Sequence, residues 1–120
     1  MMRLISKLTI DEISRICHEA NRAYCIVNDD SVLPSWDELT EDYRKSTRIG
    51  VQGVLHGNTP EKSHESWMKE RVNQGWKFGE KLDRESKIHP NLIPYEQLPE
   101  NQKVKNKLFI SIVKILTGMD

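Results

Sequence analysis

The stretches PSWDELTE, residues 34–41, and IPYEQLPE, residues 93–100, decide the fold predicted for this chain of 120 residues. Each has an aromatic residue, acidic or amide residues, a leucine and then a capping position followed by glutamate. A His-Glu pair precedes each stretch, at His18-Glu19 in the first half and at His64-Glu65 in the second. Such internal similarity indicates that one supersecondary unit occurs twice. We therefore predict two helical hairpins in a pseudo-twofold tandem arrangement.

Four helices are predicted from capping residues and from apolar side chains spaced three or four positions apart. Thr9 opens a capping box and a first helix of about 18 residues. Thr40 caps a second helix that runs to about Leu55. Thr59-Pro60 begins a third helix that runs to about Asn73, and the fourth helix starts after Pro99. The predicted fold is therefore mainly α.

The predicted elements form one domain over residues 1–120, because a chain of this length supports a single core. Its hairpins span residues 9–57 and 59–118. The second half has a longer connection at residues 76–94, where glycine and proline predict a short β-hairpin or an irregular loop. Elaborated loops often carry function, so this segment is the first place to look for a site.

Composition argues against nucleic-acid and membrane partners. The chain has 18 basic and 18 acidic residues, so it lacks the positive field on which non-specific binding to polyanions depends. The N-terminal run Met1–Leu8 is too short for a signal peptide, and no segment has the roughly 18 consecutive apolar residues of a membrane span. We expect a cytoplasmic protein in which Cys17 and Cys25, two turns apart on one helix, remain reduced thiols.

A spaced set of residues from Ser63 to about Leu116 resembles a ryanodine-receptor (RyR) repeat. The pattern of that family is a His-Glu-x-Trp helix with a following Arg, a Gly-Trp-x-x-Gly turn, a His-Pro-x-Leu-x-Pro-Tyr segment and a Leu-Pro step. The matching positions are His64, Glu65, Trp67, Arg71, Gly75, Trp76, Gly79, His89, Pro90, Leu92, Pro94, Tyr95, Leu98 and Pro99. The N-terminal half is similar to the leading segment of small stand-alone RyR-domain proteins from bacteria and phages.

This resemblance implies a helical, non-catalytic module whose partner is a nucleotide-like small molecule. RyR domains are associated with nucleotide or nucleotide-derived signals in prokaryotic conflict systems, and adenine nucleotides have been proposed as ligands of the receptor versions. The implied role is that of a sensor or a sponge for such a signal, including an anti-defence role in conflict between phage and host.

The candidate site combines flat rings with positive charge. A nucleotide needs apolar faces for its base and cationic or N–H donors for its phosphate. We expect Trp67, Trp76 and Tyr95 to form a stacking wall with Arg71 on the same side. Lys77, Arg84 and His89 are further candidates for phosphate contact, and His89 is also able to donate to a ribose or base. The complete candidate set is Trp67, Arg71, Trp76, Lys77, Arg84, His89, Tyr95 and His64.

Two alternatives stay open at this point. Aromatic residues of a small domain usually belong to its core, and Arg71 has the option of an ion pair with Glu65 or another acid on its helix. The second alternative concerns function, because exposed aromatics such as Trp76 also suit protein interaction or homo-oligomeric assembly.

Metal and catalytic motifs are not found in the sequence. Neither His-Glu pair extends to HExxH, and no Cys-x-x-Cys pair or phosphate-binding glycine motif occurs. Cys17 and His18 are neighbours on a helix, about 100° apart around its axis, which is unfavourable for a thiolate–imidazole pair. We predict no metal, no cofactor and no enzymatic activity.

Overall fold

A computed structural model describes residues 8–119 of the protein. Its four helices are α1 at Ile10–Val27, α2 at Glu41–Leu55, α3 at Pro60–Asn73 and α4 at Glu100–Thr117. Short 3₁₀ turns at Trp36–Glu38 and Tyr95–Gln97 precede α2 and α4. The predicted mainly α fold is confirmed. The expectation that Met1–Leu8 is no signal peptide concerns residues that lie, except for Leu8, outside the described range.

The helices begin where the capping residues predict. Thr9 forms both hydrogen bonds of a capping box with Glu12, and the side chains of Thr40 and Thr59 accept from the backbone amides of Tyr43 and Lys62. These bonds satisfy amide groups that a helix N-terminus otherwise leaves without partners. None of the helices within residues 8–119 is both long enough and apolar enough to cross a membrane.

A repeated joint connects each hairpin's first helix to the turn before its second helix. His18 Nε2 donates to the carbonyl oxygen of Pro34 over 2.8 Å, and His64 Nε2 donates to that of Ile93 over 2.7 Å. Each acceptor lies two residues before a buried aromatic side chain, Trp36 in the first joint and Tyr95 in the second. The repeat inferred from the sequence is therefore a repeat of one specific hydrogen bond.

The hydrophobic core belongs to three of the four helices. Helix α1 packs on α2 and α4, and α3 packs on the same two helices from the other side. The core side chains are Ile13, Cys17, Val51, Val54, Ile110 and Val113, all from α1, α2 and α4. The two buried residues of α3 are instead His64 and Arg71. The inward face of α3 is thus polar, and it contributes little to the apolar interior.

The connection between α3 and the second 3₁₀ turn differs from the predicted β-hairpin. Strands β1 at Lys77–Phe78 and β2 at Ile88–His89 pair in parallel, and Asp83 makes an antiparallel bridge with Ile88. The intervening chain turns back before it enters β2, which is why the two strands run in the same direction. A side chain at Gly79 would collide with Ile88, so this close approach requires glycine. The irregular-loop alternative describes the rest of this segment.

We expect His18→Phe to lower the free energy of unfolding by about 1 kcal/mol, because the carbonyl of Pro34 loses its donor while the ring volume is kept. Urea denaturation followed by circular dichroism measures this change. The matched control is His56→Phe, since His56 is exposed and its ring bonds to the nearby carbonyl oxygen of Gln52, four residues earlier in the chain. Equal effects of the two substitutions would contradict the role assigned to the joint.

Candidate functional site

A cavity of about 260 Å³ lies between the two hairpins. All four helices and the connections after α1 and α3 line it, so each half of the chain supplies part of its wall. Its volume is just below the range of about 300–1,000 Å³ that is typical of small-molecule sites. The cavity therefore has nearly the volume of a small-molecule site.

Helix α3 presents one row of side chains to the cavity. Ser63, Trp67 and Arg71 follow one another at four-residue intervals, which places them on the same face of the helix, and all three line the cavity. Two buried polar atoms of this row, Ser63 Oγ and Arg71 Nε, have no hydrogen-bond partner among residues 8–119. Buried polar groups are almost always hydrogen-bonded, so two unpartnered polar atoms on one helix face are unusual.

Arg71 is the unusual residue of the site. The residue is only 3% exposed, yet within residues 8–119 it forms no salt bridge and its Nε atom has no hydrogen-bond partner. The alternative that Arg71 pairs with Glu65 or another acid of its helix is therefore wrong. Its guanidinium carbon lies 4.6 Å from the centre of the Tyr43 ring, in a cation–π contact with α2. Arg71 is thus a buried positive charge without a negative partner in the described chain.

Two further cations line the same cavity. Arg84 donates from Nη2 to Ser31 Oγ over 3.1 Å and has no carboxylate partner among residues 8–119. Lys105 is paired with Asp30, with 3.3 Å between Nζ and Oδ2. Glu70 is the one carboxylate that lines the cavity within the described range. The wall therefore carries an excess of positive charge.

His89 also lines the cavity, and the positive charges of the wall affect the pKa of its ring. Burial and the positive charges of Arg84, Lys105 and Arg71 lower the pKa of His89 to about 4, so its ring is neutral at pH 7. Its Nδ1 atom accepts the backbone N–H of Asn91 over 3.1 Å. The proton of the neutral ring is then on Nε2, which makes no hydrogen bond to residues 8–119. His89 offers a neutral donor inside a positive environment.

Only one of the three predicted stacking rings lines the cavity. Trp67 does so, with the His64 ring stacked beside it at 5.5 Å and the His89 ring edge-on at 4.9 Å. Trp76 and Tyr95 are 7% and 8% exposed and pack behind this layer, against His89 and His64 respectively. The core alternative thus describes Trp76 and Tyr95 better than the stacking wall does.

Of the eight residues predicted for the site, five line the cavity. These are His64, Trp67, Arg71, Arg84 and His89. Lys77 is exposed on β1 and does not line it. His64 is committed to the joint with Ile93, and burial lowers the pKa of its ring. The cavity therefore brings together both predicted arginines and one of the three predicted stacking rings, Trp67.

The first hairpin contributes side chains that sequence reasoning missed. Tyr43, Ser46 and Thr47 line the cavity from α2, and Asn21 does so from α1. One sequence feature could have pointed to them: α2 has few apolar residues on its inward face, whereas a helix packed at the centre of a domain normally presents a clear apolar stripe. Its polar and aromatic residues face a cavity instead of filling the core.

The two cysteines are buried, and their surroundings bear on their chemistry. Cys17 and Cys25 are buried free thiols that also line the cavity, and burial raises the pKa of the Cys17 thiol to about 12. A thiol with that pKa is protonated at pH 7. Across the described range, no three His, Cys, Asp or Glu side chains come close enough together to hold a metal ion.

The cavity lies against the residues that a family model recognises. The model for the RyR domain matches residues 55–120, which include α3, the strand-bearing connection and α4. The match covers more than half of the chain and contains Trp67, Arg71, Arg84 and His89. The chain belongs to the RyR domain family.

Proposed function

We propose that this protein is a non-catalytic module that binds a small, anionic, nucleotide-like molecule in the cavity between its hairpins, and that it acts as a sensor or a sponge for that molecule. The observation that carries the proposal is Arg71, a buried residue that lines the cavity and forms no salt bridge with any of residues 8–119. The family's association with nucleotide-derived signals agrees with this choice of ligand class.

The physical argument concerns the cost of the buried charge. Removing an ion from water costs several kcal/mol even after the protein relaxes, and only a well-placed partner offsets this cost. The cation–π contact with Tyr43 contributes about 2 kcal/mol when it is desolvated, which offsets part of it. A bound anion would supply the missing partner, so Arg71 lowers the stability of the empty protein and favours the occupied one.

The rest of the wall suits a nucleotide better than a simple anion. Trp67 lines the cavity with a flat apolar ring, and a base stacked on the part of this ring that His64 and His89 leave uncovered gains about 1–3 kcal/mol. His89 Nε2 is available to donate to a ribose or base oxygen without adding charge. Asn21 and Ser46 add short polar groups from the first hairpin. A flat apolar surface next to cations and neutral donors is what a nucleotide requires.

The same groups favour binding over catalysis. A general base is most effective when its pKa lies near the working pH, whereas the pKa of His89 is about 4. The Cys17 thiol is held in its protonated form by a pKa of about 12. Neither group is therefore suited to proton transfer or nucleophilic attack at neutral pH.

We expect Arg71→Met to abolish ligand binding, lowering affinity at least a hundredfold, while the free energy of unfolding stays unchanged or rises by about 1–4 kcal/mol. The physical reason is that methionine keeps the buried volume and removes an uncompensated charge. Calorimetry with a panel of nucleotides measures the first effect, and thermal denaturation without ligand measures the second.

The control for this substitution is Lys69→Met, which removes an exposed charge from the same helix. It should change neither binding nor stability by a measurable amount. A loss of 3 kcal/mol or more in Arg71→Met would show that Arg71 supports the fold, and the proposal would then lose its main observation.

The low pKa of His89 predicts a stability loss in mild acid. Below about pH 6.5 the unfolded chain binds a proton that the folded ring does not accept until about pH 4. Stability should therefore fall by about 2–3 kcal/mol more in the native protein than in His89→Asn as the pH is lowered through this window. Urea denaturation at several pH values measures the difference, with His56→Asn as the exposed control. Parallel pH profiles for the native protein and His89→Asn would contradict the neutral, buried state of His89.

The alternative function is protein interaction or homo-oligomeric assembly, and in this fold Phe78 suits such a contact better than Trp76. Trp76 is buried, whereas Phe78 on β1 is 56% exposed. We expect Phe78→Ser to leave ligand affinity within twofold of the native value, because Phe78 does not line the cavity. Light scattering of the same variant reports its mass in solution. If Phe78→Ser lowers the mass and no nucleotide binds the native protein, assembly replaces ligand binding as the proposed function.

A further inference from the structure

We propose that the ligand is a single nucleoside monophosphate that lies along α3, with its phosphate at Arg71 and Arg84 and its base reaching toward Ser63. This inference rests on the proposed function, because it names the ligand of the same cavity. It also assigns binding roles to Ser63 and Tyr43, neither of which the sequence pattern identifies.

The length of the ligand follows from the two unpartnered atoms of α3. Ser63 and Arg71 are eight residues apart, which corresponds to about 12 Å along a helix that rises 1.5 Å per residue. Trp67 lies midway between them and lines the cavity with both. Ser63 Oγ and Arg71 Nε are buried and without partners, so the row has a polar group at each end and a ring in the middle. An extended nucleotide has the same order of groups, with a hydrogen-bonding base edge, flat rings and a terminal phosphate.

The charge of the ligand follows from the cations that lack a carboxylate. Within residues 8–119 the cavity has two of these, Arg71 and Arg84, because Lys105 is already paired with Asp30. The Glu70 carboxylate also lines the cavity, where it accepts a hydrogen bond from Ser46 and forms no salt bridge within the described residues. A phosphomonoester carries about −1.5 to −2 at pH 7, so its oxygens suit contact with both arginines. A phosphodiester carries one negative charge per linkage. A dinucleotide would therefore place its charges further apart than a terminal phosphate does, and one position near Arg71 and Arg84 would not contact them all.

The size of the cavity agrees with one nucleotide. Its volume of about 260 Å³ is below the lower end of the range for drug-sized ligands. Three large aromatic rings line it within the described residues, of which Tyr43 is covered by Arg71 and Phe109 packs against the hydrophobic core, which leaves Trp67. A cyclic dinucleotide has two bases, and the rings that would stack on the second base, Trp76 and Tyr95, are packed in the interior. The site therefore has one place for a base.

Tyr43 positions the phosphate-binding group. The guanidinium carbon of Arg71 lies over the Tyr43 ring, 4.6 Å from the ring centre. A guanidinium binds phosphate through the N–H groups at its edge and tolerates an aromatic ring on its face. Tyr43 thus holds the plane of Arg71 from the other hairpin and leaves its edge available to an oxyanion.

Titration calorimetry of the full chain tests the proposal. The probes are the four ribonucleoside monophosphates, their nucleosides, inorganic phosphate and cyclic di-AMP. We expect at least one monophosphate to bind, and we expect its nucleoside, inorganic phosphate and cyclic di-AMP each to bind at least tenfold more weakly. The first comparison measures the phosphate contribution, and the second measures the contribution of the nucleoside.

Two substitutions test the assigned positions. Ser63→Ala should weaken the monophosphate three- to tenfold and leave inorganic phosphate unaffected, and removal of an unpartnered hydroxyl should not destabilise the fold. Its control is Ser111→Ala on the exposed face of α4. Tyr43→Leu should weaken both probes, whereas Tyr43→Phe should retain the native affinity, because the ring and not its hydroxyl holds Arg71.

The calorimetry results distinguish failure of the single-nucleotide assignment from failure of nucleotide binding as a whole. Tighter binding of cyclic di-AMP than of every monophosphate would overturn the single-nucleotide assignment and leave nucleotide binding in place. Inorganic phosphate that binds as tightly as the best monophosphate would overturn it as well, because the base would then contribute nothing. The absence of binding by any probe at millimolar concentration would overturn both proposals.

Discussion

The architecture depends on a hydrogen bond from a helix histidine to a carbonyl in the chain that returns toward that helix. His18 and His64 each donate from Nε2 to a residue two positions before a buried aromatic side chain. A carbonyl in a partly buried connection needs a donor, and the imidazole supplies it while its ring packs against neighbouring groups. The bond is made once in each half, and residues of both hairpins line the cavity between them.

The cavity exists because α3 does not fill that space with apolar side chains. The core cluster is drawn from the other three helices, and the buried residues of α3 are a histidine and an arginine. His64 is held by its joint, whereas Arg71 extends beneath Tyr43 without a negative partner among the described residues. Under the proposed function, stability and binding are in opposition at this helix, as is common where a fold keeps a polar site in its interior.

Much of the fold was predictable from the sequence, because its signals are local. Thr9, Thr40 and Thr59 each mark a helix start through a hydrogen bond that depends on neighbouring residues only. The parallel pairing of β1 with β2 was not predictable, since it depends on the path of the loop between them. The repeat of the His-Glu and aromatic segments was visible as a pattern, but its physical basis became clear only from the two carbonyl acceptors.

The candidate site was predictable in part, and the reason lies in the range of the interactions. Trp67 and Arg71 share a helix face, so their spacing alone places them together. The contact between Arg71 and Tyr43 joins residues of different hairpins, and no sequence rule gives it. Burial of Trp76 and Tyr95 likewise depends on what the rest of the chain places over them. Aromatic type alone does not separate a binding surface from a core.

The segment that the RyR family model matches begins at residue 55, whereas Tyr43 and several other walls of the cavity precede it. One copy of the repeat therefore encloses only one side of the hollow, and Arg71 on its own would face solvent. Closing the cavity therefore requires the first hairpin as well as the segment that the family model matches. Under the proposed function, changes in the first hairpin would alter which ligand is bound while that segment stays the same.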